Sequence, residues 1–313
     1  MPPCPRHDSD HPRPSPAFRM TRRTGLLAAA GALLAGCSGT QALNALVARD
    51  TYTSREGIAY GTHPRQKLDV YKPLASAHST ATPPVVLFFY GGSWTRGERA
   101  DYRFVGESLA SQGVITVVAD YRLSPEVRWR EIAQDSALAA RWVFDNLNDM
   151  NGDPKRVFVM GHSAGGWNAA MLALDARWLN AQGLSPRRFA GWIGLAGAYD
   201  FLPIENPEAQ VAFNWPDTPP DSQPLRHVSK DSPPALLIAP DSDKLVNPER
   251  NTEGMARALR AQGVPVTVHR HSAINHVTLA GSLAGPLRWL APVRREVLDF
   301  IAAPAAAGAA AAR

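Results

Sequence analysis

The sequence predicts an α/β fold: a mainly parallel eight-stranded sheet flanked by helices, with a small lid insertion. Three observations lead there. Apolar runs rich in Val, Ile, Leu and Phe recur through residues 51–301, and stretches of helical periodicity separate most of them. The runs are continuous rather than alternating, as in strands covered on both faces. With 313 residues, 45% of them hydrophobic and 19% charged, the chain can bury the core that such a sheet requires.

Taken in order, residues 52–61 (YTSREGIAYG) and 66–72 (QKLDVYK) read as an opening antiparallel pair. Core strands follow at 85–90 (VVLFFY), 114–119 (VITVVA), 156–160 (RVFVM), 189–197 (FAGWIGLAG), 235–240 (ALLIAP) and 264–270 (VPVTVHR). Helical patterns occupy 101–112, 131–147, 164–175 and 249–262, and a last one at 288–301 closes the domain. Two segments break the repeat, 176–188 and 201–234. The second holds eight prolines together with Phe213 and Trp215. An irregular insertion of this length between core strands reads as a functional lid.

The N-terminus reads as an address. Residues 1–19 are Pro-rich, and Met20, the expected start, precedes TRRTGLLAAAGALLAGC: two arginines, an apolar run too short to span a bilayer, and small residues before Cys37. Leu34-Ala35-Gly36-Cys37 resembles the lipobox of bacterial lipoproteins, which implies export, lipid on Cys37 and attachment to the cell envelope membrane. Arg22-Arg23 suits twin-arginine export and Thr24-Gly25 departs from it, so the route stays open. The expected organisation is an extension and signal at 1–36, a tether at 37–50, one α/β domain at 51–301 with the lid near 201–234, and an Ala-rich tail at 302–313.

Composition narrows the chemistry. The formal charge of +5 owes much to five arginines against two aspartates in residues 1–36, and no basic stripe points to nucleic acid. If Cys37 carries lipid and Cys4 is removed with the leader, neither a disulfide nor a thiolate metal site remains. No metal or nucleotide motif appears, and Gly91-Gly92 lacks the continuation of a dinucleotide loop. No cofactor is expected.

Gly161-His162-Ser163-Ala164-Gly165 lies between an apolar strand and a helix. Glycines on both sides permit a turn sharp enough to lift the Ser163 hydroxyl to the carboxyl edge of the sheet. A serine hydroxyl needs a base, and the base an orienting acid. Asp241 and Asp243 follow the strand 235–240, and His271 and His276 follow the strand 264–270. Asp243 is preferred because it lies further into its loop; His276 is preferred over His269 and His271 because it stands on the loop before the last helix. His162 reads as a packing and hydrogen-bonding residue of the elbow, not the base, and is expected to point away. Donors for an oxyanion are expected from the amides of Gly92, Ser93 and Ala164. Trp94, Trp167, Tyr199, Phe213 and Trp215 are candidates to line an apolar acyl or aryl pocket.

YGGSW, ADYRLSP, DSALAARWVFDN, GHSAGG, GAYDF, DSDKLV and NHVTL, in this order over about residues 50–301, resemble the α/β-hydrolase superfamily, in particular its esterase branch of carboxylesterase, feruloyl-esterase-like and kynurenine-formamidase-like enzymes. The resemblance implies Ser163 as nucleophile, Asp243 as acid, His276 as base, and a small-molecule carboxylic ester as substrate. An amidase of the formamidase type and a non-catalytic envelope lipoprotein are the rival readings. One departure stands out: the branch commonly begins its oxyanion motif with His, where this chain has Tyr90. A phenol there is expected to brace the loop and alter the pocket without loss of activity.

Overall fold

The computed structural model describes residues 39–74 and 82–303. The leader with Cys4, Met20 and Cys37, and the tail from residue 304, lie outside the described residues. The chain divides into two units, Met1–Ala42 and Leu43–Arg313. A short helix α1 (Gly39–Ala45) occupies the expected tether.

Eight strands form one sheet: β1 (Tyr52–Ala59), β2 (Lys67–Pro73), β3 (Val85–Phe89), β4 (Ile115–Ala119), β5 (Val157–His162), β6 (Gly191–Leu195), β7 (Ala235–Pro240) and β8 (Val266–His271). Their spatial order is β1-β2-β4-β3-β5-β6-β7-β8. β1 pairs with β2 and β2 with β4 in antiparallel fashion, and the remaining pairs are parallel. All residues of β3 to β7 are buried, as their unbroken apolar runs require. The 264–270 segment, expected as a core strand covered on both faces, is instead β8 at an edge of the sheet and only partly buried, because no strand pairs beyond it; its charged Arg270 suits an edge that must not recruit another strand.

The helices are α2 (Arg103–Ala110), α3 (Trp129–Asp145), α4 (Leu147–Met150), α5 (Ala164–Leu174), α6 (Ala176–Asn180), α7 (Pro207–Ala212), α8 (Gly254–Ala261), α9 (His276–Gly281) and α10 (Val293–Ala302). The path β3–α2–β4 runs towards one edge and β4–α3–β5 runs back past β3. Because parallel crossovers are right-handed, these opposite steps put α2 and α3 on opposite faces. α10 packs on α2 and β7, whereas α3 packs on α5. The reversal also makes the gap between β3 and β5 the switch point, where loops from the two strands diverge and leave a crevice at the carboxyl edge.

Several expected helix bounds shift for local reasons. The 288–301 helix begins only at Val293, because Pro292 caps it and residues Gly285–Leu287 form a separate 3-10 turn. The 249–262 helix opens with a π-turn over Glu249–Glu253. α3 starts two residues early, with the Glu131 carboxylate accepting the Arg128 N–H at 3.0 Å. The 201–234 insertion is less irregular than expected: it contains α7 and 3-10 turns at Pro220–Ser222 and Pro224–His227, each begun by a proline that presets its φ. Among the described residues, no helix is long and apolar enough to cross a membrane.

Candidate active site

Ser163 follows β5 directly, with φ 55° and ψ −120°. Such a conformation costs a serine about 1–3 kcal/mol and survives only where the surroundings enforce it. Here they do. The Ser163 N–H donates to the Leu195 carbonyl at 2.9 Å, and its own carbonyl accepts from the Gly166 N–H at 2.9 Å. A Cβ on Gly161 would stand 1.9 Å from the Gly165 oxygen, and one on Gly165 would stand 2.1 Å from the Phe89 oxygen. The turn therefore needs glycine at both places, and this packing presses the start of α5 against the end of β3.

The hydroxyl so presented meets a histidine 113 positions away. Ser163 Oγ lies 2.7 Å from His276 Nε2, and His276 Nδ1 lies 2.6 Å from Asp243 Oδ2. His276 is the first residue of α9, fixed there by Asn275, whose side chain accepts the Val277 and Thr278 N–H groups at 3.0 and 2.9 Å. Asp243 Oδ1 accepts from the Leu245 and Val246 N–H groups at 2.8 and 3.1 Å. Burial works to raise this carboxyl, but the hydrogen bond and charge of His276 and the two amides outweigh it and hold Asp243 below the usual carboxylate range.

The competing residues stand elsewhere. The Asp241 side chain is half exposed and lies 3.8 Å from Arg270. His269 and His271 both face Glu296 of α10, at 3.5 and 3.1 Å. His162 corrects one expectation: its ring does not turn away from the site but lies 4.9 Å from the His276 ring. Burial, followed by the neighbouring His276, pushes its pKa down to about 3.

The loop after β3 coils through three consecutive left-handed residues, Gly92 (φ 130°), Ser93 (φ 52°) and Trp94 (φ 59°). The Gly92 carbonyl accepts from Thr95 and Arg96, and the Trp94 carbonyl accepts from Ser124. Beneath it, Tyr90 is buried and stacked between Tyr102 and Tyr121, with ring centroids at 5.3 and 5.0 Å. Tyr90 Oη donates to Asp120 at 2.7 Å and accepts from Arg65 at 2.8 Å, while Arg99 donates to Asp120 at 2.6 Å. Arg65 also reaches the Gly97 carbonyl, closing the far end of the loop. Burial, reinforced by the Asp120 charge, raises the Tyr90 phenol well above its ordinary value, so it remains a proton donor.

Ser163, Ala164, Ser93, Asp243 and His276 all border one cavity of about 670 Å³. Of the five aromatics expected to line a pocket, only Trp94 does so. Trp167 is buried behind it, donating Nε1–H to the Ser222 carbonyl at 2.8 Å. Phe213 packs edge-on to Trp94 at 4.7 Å, and Tyr199 is buried edge-on to Trp192. Trp215 is 53% exposed and away from the cavity. The aromatics thus hold the lid from behind, because a ring's area is best satisfied by other rings in the dry layer below. The wall itself includes Phe201 and Ile204 on the apolar side and Arg96, Asp200, Glu208 and Arg250 on the polar side. These were missed in the sequence; the signal available was their position just beyond strand ends and in the lid. Arg96 pairs with Glu208, and Arg250 with Asp200, so the mouth is laced by ion pairs. Among the described residues, no cluster of three or more His, Cys, Asp or Glu could hold a metal ion.

The family model described as BD-FAE matches residues 68–257. Among curated sequences, an isoprenylcysteine alpha-carbonyl methylesterase of Arabidopsis thaliana is 28% identical over 255 residues, covering 75% of this chain and 58% of its own. Esterase LipC of Mycobacterium tuberculosis is 29% identical over 228 residues, covering 67% of this chain and 56% of its own. The chain thus spans a little over half the length of these relatives. Among solved structures, esterase B of Lactobacillus rhamnosis aligns with a TM-score of 0.69 and 23% identity over 88% of this chain and 94% of that one. That likeness, with the eight-stranded sheet, makes this an α/β-hydrolase fold.

The depressed His162 pKa has a measurable consequence. An unfolded histidine takes up a proton below about pH 6.5, whereas the folded site resists until about pH 3. As pH falls through this window the unfolded state binds more protons, so stability is lost, with a slope approaching about 1.4 kcal/mol per pH unit from one such group. Urea unfolding of His162→Gln is expected to show a shallower decline between pH 6.5 and 4.5 than the parent; parallel declines would contradict it.

Proposed function

This chain belongs to the BD-FAE family, and from that premise we propose that it is a serine esterase, cleaving small carboxylic esters through an acyl-enzyme intermediate. The observation that carries the reading is the unbroken Asp243–His276–Ser163 hydrogen-bonded chain opening on the cavity. The esterase names of the curated relatives support esters as the substrate class.

In this reading Ser163 Oγ attacks the ester carbonyl carbon as its proton passes to His276 Nε2. Asp243 keeps the imidazole in the Nδ1–H form and stabilises the imidazolium. The Gly92, Ser93 and Ala164 amides receive the oxyanion. His276 then returns the proton to the departing alcohol and deprotonates a water; the hydroxide bonds to the acyl carbon, and Ser163 Oγ leaves with the proton that His276 hands back, freeing the acid. The lipobox-like sequence supports a second element of the proposal, attachment to the bacterial envelope through lipid on Cys37.

Ser163→Ala is expected to remain folded and to lower kcat on p-nitrophenyl acetate by about 10⁴-fold or more; retained turnover would refute the nucleophile. On the parent, an aryl ester is expected to exceed the matching N-formyl anilide in kcat/KM by at least about ten-fold, and the reverse preference would make the enzyme an amidase. In cells, Cys37→Ala is expected to abolish incorporation of a fatty-acid analogue, and undiminished incorporation would exclude the anchor.

A further inference from the structure

Next to the nucleophile lies a buried imidazole that the mechanism above leaves without a task. His162 Nε2 is 2.9 Å from the main-chain oxygen of His276. A carbonyl oxygen only accepts, so Nε2 carries the hydrogen. Nδ1 is buried with no hydrogen-bond partner, and a proton added there would have no acceptor. The ring is therefore neutral in the Nε2–H form, and with its remaining lone pair sealed off it cannot serve as a base. Its other neighbours define a shaped slot. A Cβ on Gly91 would come 3.1 Å from His162 Nδ1 and 2.9 Å from Ser163 Cβ, so the imidazole fills the space between the loop after β3 and the start of α9.

We infer, resting on the serine-esterase reading, that His162 is a positioning residue: by donating to the His276 carbonyl it ties the backbone of the general base to the nucleophile elbow. His276 is otherwise anchored through Asn275 and Asp243, both on loops beyond strand ends. The His162 bond is the one that joins α9 directly to the residue preceding Ser163. It sets the height of the His276 ring above Ser163 Oγ, and a displacement of about 1 Å in such a pair lowers turnover by up to about 100-fold. The groups facing His162 are His276, Ser163, Gly91 and, one step beyond, the Asp243 carboxylate.

The test compares three full-length variants on p-nitrophenyl acetate, with folding checked by circular dichroism. His162→Phe keeps the ring's shape and removes the donor. His162→Gln keeps an N–H near the Nε2 position, and His162→Asn keeps one that stops short of it. His162→Phe and His162→Asn are expected to lose about 10- to 100-fold in kcat with KM within about two-fold, and His162→Gln to recover most of that loss. Fluorophosphonate labelling at Ser163 is expected to slow in step with kcat. Equal kcat in Phe and Gln variants, or a loss carried by KM, would overturn the positioning role. Should His162→Phe not fold, the Gln and Asn variants still decide, because they differ in the reach of the donor. A parent that the fluorophosphonate does not label at Ser163 would remove the esterase reading and this inference with it; a labelled parent alongside an unimpaired His162→Phe removes the inference alone.

Discussion

The arrangement depends on one backbone constraint: Ser163 held at positive φ between β5 and α5. A relaxed serine there would lie along the strand or the helix, with its hydroxyl out of reach of the neighbouring loops. The strain is maintained by close approaches that only Gly161 and Gly165 allow and by main-chain bonds to Leu195 and Gly166. These contacts belong to the middle of the sheet, where β3, β5 and β6 are buried throughout. Core packing thus holds the hydroxyl at the edge of the cavity.

Around that fixed point, each polar group is supplied with a partner suited to one charge state. Asp243 is surrounded by donors and stays ionised. Tyr90 is buried against Asp120 and Arg65 and stays protonated, which lets a phenol anchor the loop that bears Gly92 and Ser93. His162 stays neutral by exclusion of water and by the lack of any partner at Nδ1. The mouth differs: its ion pairs, Arg96–Glu208 and Asp200–Arg250, are partly open to solvent, the first more than the second. Exposed pairs contribute little stability and are screened by salt.

Much of this was legible in the sequence, and the reason differs from part to part. β3 to β7 announced themselves because burial on both faces leaves few polar positions to blur the run, whereas the run of β8 did not reveal that it lies at an edge. The juxtaposition of Ser163, Asp243 and His276 was legible because a parallel sheet gathers the residues that follow its strands at one edge. The helix starts at Val293 and Trp129 were not, since one is set by Pro292 at its N-cap position and the other by the Glu131 contact with the Arg128 N–H, rather than by periodicity. The pocket was the weakest part. Trp167, Tyr199 and Phe213 are aromatic residues near site loops, yet their side chains point into the layer beneath. Which way a loop aromatic turns is decided by what else packs there, as the ring cluster of Trp94, Trp167, Phe201 and Phe213 illustrates. The direction of His162 was hidden for the same reason, because its partner is a carbonyl 114 positions away.

The account rests on Ser163 forming a covalent bond to the acyl group during turnover. Acid quenching of the parent within milliseconds of mixing with a p-nitrophenyl ester, followed by peptide mapping by mass spectrometry, addresses this directly. The account predicts an acyl mass increment on the peptide containing Ser163, appearing with the burst of nitrophenol and decaying at the turnover rate. An increment confined to another residue, or burst release with an unmodified Ser163 peptide, would contradict it.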